Sequence, residues 1–256
     1  MNWSRQIHLK SPAEIEIMRE AGRINAKVLA TVNELLKPGV STADLNAAAE
    51  EVLRKYGCVS PFKGYGHPPF PASITVSINQ ELVHGIPSKY RKLREGDLVS
   101  IDCGTVLDGL VADSAFTAGV GEISSEARNL LEVTQGALNA GIEMMRIGYR
   151  TGDVSAAIQK YVESRGFFVT REYTGHGVGR QMHEGPQVPN YGKAGTGIPL
   201  KAGMTIAIEP MVLGGTAETR VLPDQWTVVS ADGSLTAHFE HSIAVTEGDP
   251  LLLTVL

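Results

Sequence analysis

Cysteine is scarce in this sequence: Cys58 and Cys103 are the only two in 256 residues. Two thiols cannot build a disulfide framework, and Cys103 sits inside a strand-like run, so the composition suits a reducing cytoplasm. Runs of basic residues are missing and the formal charge is −5, which argues against the electrostatic footprint of a nucleic-acid binder. No apolar stretch is long enough to span a bilayer, and the opening MNWSRQIHLK lacks the hydrophobic segment of a secretion signal. Neither membrane nor nucleic acid is therefore an expected partner. Nothing in the composition suggests disorder either: 43% of the residues are hydrophobic and 20% charged, enough to bury one large core or two fused ones.

What is present is organised around residues 97–117, DLVSIDCGTVLDGLVADSAFT. Val99, Ile101 and Cys103 alternate with Ser100, Asp102 and Gly104, and after Asp108-Gly109 the small and apolar residues resume. Asp-Gly favours the positive-φ conformations of a tight turn, so the stretch predicts a β-hairpin. With that turn, Leu107 faces Leu110 and Gly104 faces Asp113. Asp102 and Asp113 then share a face as diagonal neighbours, roughly 7–8 Å apart at the backbone. Two converging carboxylates repel unless one takes a proton or both share a cation.

Ser11-Pro12-Ala13-Glu14 is a helix start with a capping box, and apolar residues recur at helical spacing until Pro38-Gly39. A second helix follows Ser41-Thr42. Residues 61–72 are rich in proline and glycine and carry Phe62, Tyr65, His67 and Phe70, which predicts an ordered loop. Residues 73–79 alternate as a strand, and His84 enters a turn at VHGIP (83–87).

After the hairpin the pattern restarts. LLKPGVSTADLNAAAEEVLRKYGC (35–58) aligns with MMRIGYRTGDVSAAIQKYVESRGF (144–167), sharing Gly39/Gly148, Thr42/Thr151, Asp44/Asp153 and Gly57/Gly166. LREGDLVSID (93–102) aligns with LKAGMTIAIE (200–209), pairing Asp102 with Glu209. We read a single domain over 1–256 with an internal repeat of roughly 12–117 and 125–245, each copy bringing a carboxylate to the middle.

The second half adds His176 among glycines in YTGHGVG, His183 in MHEGP, Glu209 in TIAIEP and Glu240 in HFEHSIAV. The glycines around His176 would let backbone close on a ligand or metal. Asp102, Asp113, His176, Glu209 and Glu240 form a donor set with too many carboxylates for one small ion, which suits two divalent cations with shared ligands. Simple pairing around Asp232-Gly233 sets Trp226 on the face opposite Glu240.

The motifs VHGIP (83–87), IDCGTVLDGLVADS (101–114), GHGVGRQMHEGPQV (175–188), IEPM (208–211) and FEHSIAV (239–245) resemble those of type I methionine aminopeptidases over nearly the whole chain. The resemblance implies an α+β pita-bread fold, two pseudo-symmetric halves around a curved antiparallel sheet. It implies that Asp113 and Glu240 touch both metals while Asp102, His176 and Glu209 complete the set. The implied reaction is removal of an initiator methionine, preferably before a small uncharged residue, by a hydroxide held between the ions. His84, His183 and Glu209 would assist catalysis, with His84 and His183 also binding substrate. Phe70, Thr75, Met182 and Trp226 would line the methionine pocket, although Tyr, Cys and Phe are frequent in the family at the first three positions. Too few residues precede the first helix for the zinc-binding extension of many eukaryotic relatives.

The donor atoms admit Co²⁺, Mn²⁺, Fe²⁺ or Zn²⁺. Expected partners are the N-termini of nascent proteins and peptides, with the ribosome a candidate second partner; the expected state is a cytoplasmic monomer. A prolidase or Xaa-Pro aminopeptidase shares the fold and metal set, and a pita-bread module that binds protein without catalysis is the remaining alternative.

Overall fold

The computed structural model describes residues 6–256. Of the N-terminal stretch read above for a secretion signal, residues 1–5 lie outside them. In chain order the elements are α1 (Pro12–Glu34), α2 (Thr42–Lys55), β1 (Thr75–Ile78), β2 (Glu81–Val83), β3 (Leu98–Leu107), β4 (Leu110–Gly119), α3 (Ser125–Glu143) and α4 (Thr151–Glu163). The chain continues through β5 (Phe168–Val169), β6 (Thr174–Gly177), β7 (Glu184–Pro189), β8 (Thr205–Ile208), β9 (Met211–Leu213), β10 (Thr219–Val221), β11 (Val228–Ser230), β12 (Thr236–His238), β13 (Glu240–Ala244) and β14 (Leu251–Leu252).

The helices start where polar side chains can serve orphan N–H groups. Ser11 Oγ accepts from the Glu14 N–H and Glu14 accepts from the Ser11 N–H, closing the box at the start of α1. In α2 and α4 the aligned Asp44 and Asp153 do the same job, accepting from the N–H groups of Ser41 (3.0 Å) and Arg150 (2.7 Å). Each pair of helices then buries one apolar face. In the first half Ile24, Val28 and Leu45 pack on Ile74, Val99 and Ile101. In the second, Leu130, Leu138, Val154 and Ile158 pack on Ile206, Ile208 and Ile243. Each such side chain contributes about 1.5–3 kcal/mol on removal from water.

The largest sheet runs β1-β3-β4-β13-β8-β6-β7, with β14 on β13, and every neighbouring pair is antiparallel. The β3–β4 hairpin forms as its turn predicts. Asp108 (φ 47°) and Gly109 (φ 77°) both take positive φ, and the register pairs Leu107 with Leu110, Gly104 with Asp113 and Asp102 with Ala115. The halves meet at β4 and β13, through Glu240 opposite Ala115 and His241 opposite Ser114.

The strands on either side of Asp232-Gly233 do not pair with each other. β11 pairs with β10 and β2, whereas β12 pairs with β9. The chain changes sheets at the Asp232-Gly233 turn, so the sidedness inferred for Trp226 from a simple hairpin does not hold. Among the described residues no helix is long and apolar enough to cross a membrane.

Candidate metal centre

Strand register alone brings the carboxylates and His176 to one face. Across the sheet, Asp102 is opposite Ala115 and Ala115 opposite Glu240; His176 is opposite Ala207 and Ala207 opposite Ser242. Side chains on one face repeat every second residue, so Asp113 joins the face two residues before Ala115, and Glu209 joins it two residues after Ala207. Gly104, Ala115, Ala207 and Ser242 fill the positions between with small groups, which leaves room for the longer acids to meet. Thr75 extends the same row beyond Asp102, its partner in β1–β3.

The donor atoms of these side chains meet closely. Asp113, His176 and Glu240 each offer a donor atom within 4.8 Å of the others. His176 Nε2 lies 3.5 Å from Glu209 Oε1 and 3.9 Å from Asp113 Oδ2. Its Nδ1 is 2.9 Å from the Gly177 carbonyl, which can only accept, so Nδ1 carries the proton and Nε2 presents a lone pair to the acids. Among the described residues Asp102 Oδ1, Asp113 Oδ1 and Glu240 Oε1 are buried without a hydrogen-bond partner.

Burial controls the charge of the cluster. It raises Asp102 to about 7, against a smaller lowering by its hydrogen bond with Asp113. Burial and then the neighbouring carboxylates hold Asp113, Glu209 and Glu240 well above the usual carboxylate range. Burial lowers His176 to about 4, so its ring is neutral. A neutral imidazole among crowded carboxylates with orphan oxygens is a site built for divalent cations, which replace the protons and supply the missing partners. The donor chemistry therefore fits a metal.

A cavity of about 730 Å³ opens on this face. His84, His183, Phe70, Thr75, Met182 and Trp226 line it together with the acids and His176. His84 takes φ 62°, and Gly85 after it lies so close to β1 that a Cβ would stand 2.2 Å from the Val76 carbonyl oxygen. The His84 ring lines the cavity, edge-on to Tyr173 and Trp226. The Tyr65 hydroxyl sits 2.6 Å from His183 Nδ1; when it donates there, Nε2 of the neutral ring carries the proton. Phe62, Phe70, Ala72, Ile86, Met182 and Trp226 form one apolar cluster, and the Trp226 indole N–H donates to the Pro68 carbonyl (3.0 Å).

The glycines beside His176 serve strand packing. A Cβ on Gly175 would stand 2.6 Å from the Ala207 carbonyl oxygen, and one on Gly177 would stand 2.1 Å from that of Gly185. Both glycines admit a neighbouring strand at close range beside His176.

Sequence reasoning passed over His238, which is 2% exposed, lines the cavity and places Nε2 3.6 Å from Glu209 Oε2. A signal was there: His238 and Glu240 stand two residues apart in an extended run, the spacing that puts side chains on one face.

Comparison with known proteins follows the same lines. Residues 16–247 match the model of metallopeptidase family M24. A methionine aminopeptidase of Clostridium acetobutylicum is 50% identical over 97% of this chain and 99% of its own length, and methionine aminopeptidase 1 of Bacillus subtilis is 50% identical over 93% and 95%. The crystal structure of methionine aminopeptidase from Thermotoga maritima superposes with a TM-score of 0.96 at 45% identity, covering 98% of this chain and all of that one. Likeness of this extent, on the pita-bread fold with its acids and His176 gathered on one face, shows that the chain belongs to metallopeptidase family M24, among the methionine aminopeptidases.

Proposed function

We propose that this protein removes the N-terminal methionine of nascent polypeptides, using two divalent cations held by Asp102, Asp113, His176, Glu209 and Glu240. The observation that carries the reading is the convergence of these residues, with buried oxygens lacking partners, at the floor of a cavity that has an apolar side. When bound, divalent cations supply Lewis acidity, ionising a water near neutral pH and polarising a carbonyl.

The protein's own groups account for the rest. Phe70, Met182 and Trp226 offer an apolar, adaptable surface for a methionine side chain. Thr75, beside Asp102 in the register, marks where that surface meets the acids. His183, with its Nδ1 engaged by Tyr65, directs an Nε2–H donor toward the substrate carbonyl. His84 holds the amide beyond the cut, and its ring stays neutral because burial lowers it to about 4. Glu209, raised by burial, takes and returns the proton that reaches the leaving amine. We read the two helix pairs, capped by the equivalent Asp44 and Asp153, as copies of one unit within a single catalytic domain.

Hydrolysis of a Met-Ala-Ser peptide, measured after chelation and after adding back each of Mn²⁺, Fe²⁺, Co²⁺ and Zn²⁺, tests the proposal. Activity should vanish with the metal and return with it. Preferential cleavage of Xaa-Pro peptides would point instead to a prolidase, and failure to bind any divalent ion would point to a non-catalytic module.

A further inference from the structure

His238 Nε2 is buried without a hydrogen-bond partner among the described residues. It stands 3.6 Å from Glu209 Oε2 and 3.9 Å from Glu240 Oε2. A buried polar atom left unsatisfied is costly, so its position calls for a partner. Glu209 consequently lies between two imidazoles, His176 beside Oε1 and His238 beside Oε2.

The backbone that aims His238 is fixed from the other half of the molecule. The His238 N–H donates to Thr117 Oγ1, and the Thr117 hydroxyl donates back to the His238 carbonyl, both at 2.8 Å. Asp113 is held by the same device: its N–H donates to Ser242 Oγ (2.9 Å) and the Ser242 hydroxyl donates to its carbonyl (2.8 Å). A hydroxyl clamp of this kind holds the two peptide groups that flank one Cα, and with them the direction of the side chain. In this molecule the device serves a proposed metal ligand and His238 alike.

Building on the dinuclear reading above, we propose that His238 is a positioning residue of the metal centre: its Nε2–H engages Glu209 Oε2 and leaves Oε1, the oxygen beside His176, for the cation. A carboxylate anchored at one oxygen cannot swing away from its ion, and losing such an outer partner typically lowers metal affinity 10–100-fold.

Calorimetric titration of the chelated full chain with Mn²⁺ alone tests this. The wild type should take up the ion, and His238→Leu should bind it about 10–100-fold more weakly. His238→Gln restores an N–H donor and should recover most of that loss. Thr117→Val keeps the shape, removes the clamp and should shift affinity in the same direction as His238→Leu. The urea midpoint of each chelated variant separates weak binding from a folding defect. Undiminished affinity in His238→Leu overturns the inference while wild-type uptake leaves the dinuclear reading standing, and no uptake by the wild type overturns both. A Gln variant as weak as the Leu variant, with a wild-type urea midpoint, also overturns the donor role.

Discussion

Lys10 and Glu184 form an ion pair in which the side chains are 1% and 0% exposed. Lys10 Nζ also donates to the His8 carbonyl, and the other Glu184 oxygen accepts from the Gln181 N–H (3.0 Å). The lysine crosses Gly179 so closely that a Cβ there would lie 2.2 Å from Lys10 Cε. The pair thus ties the segment before α1 to the loop that carries Met182 and His183.

Removing one partner would strand the other's charge in the interior. Lys10→Ala should destabilise the fold by about 3–5 kcal/mol, whereas Lys10→Met combined with Glu184→Met should recover much of that loss. Urea denaturation of the chelated proteins measures both. Equal stability of Lys10→Ala and the wild type would remove the pair from the stability argument.

The acid cluster has a pH signature. Burial raises Asp102 to about 7 and lifts Asp113, Glu209 and Glu240 well above their usual range, while it lowers His84 and His176 to about 4 and His238 to about 3. Below about pH 6.5 the two sets oppose each other, the folded state holding extra carboxyl protons and the unfolded state extra imidazolium protons. Above that pH the unfolded histidines are neutral, and the carboxyl contribution stands alone. A raised folded pKa gives stability that is present at low pH and lost as pH rises through it. The chelated protein should therefore weaken as pH climbs from about 6.5 to 8.5, and saturating Mn²⁺ should abolish that slope because the cation replaces the protons. Urea midpoints across that range, with chelator and with Mn²⁺, provide the check; midpoints that rise with pH under chelation would contradict it.

Asp113 turns its side chain toward the cluster while its backbone is held by Ser242. Asp113→Ala should lower metal affinity and peptide hydrolysis together by more than about 100-fold, beyond the loss typical of an outer partner. A fully active variant would refute its role as a ligand.

His84 touches aromatic rings rather than the acids. His84→Ala should cut turnover by about 100-fold or more, the usual contribution of a positioned acid–base or donor group, while divalent-cation affinity is unchanged. Unchanged turnover would take it out of the mechanism.

Much of this was legible because local rules coincide with the fold. Asp108-Gly109 can make a two-residue turn only in one register, and that register puts Asp102 and Asp113 on one face. Ser11 and Ser41 announce their helices through acids three residues on. The pairing of β11 and β12 was not legible, since an Asp-Gly turn specifies a reversal and not which strand lies alongside afterwards. Lys10 and Glu184 were out of reach for a different reason: residues 174 apart in sequence carry no local pattern of their meeting. His238 was hidden by Glu240, whose motif drew the reading to the acid and away from the imidazole two residues earlier.

The seam between β4 and β13 rests on few ladder pairs, Glu240 with Ala115 and His241 with Ser114. A slip of one residue at this seam would turn Glu240 to the far side of the sheet. The hydroxyls of Ser242 and Thr117 act as end stops against that error, since each bonds both the N–H and the carbonyl of one residue on the opposing half. The acids of the two halves share one face because of this seam: Asp102 and Asp113 meet within their own hairpin, and only the observed register brings Glu240 to them from the other half.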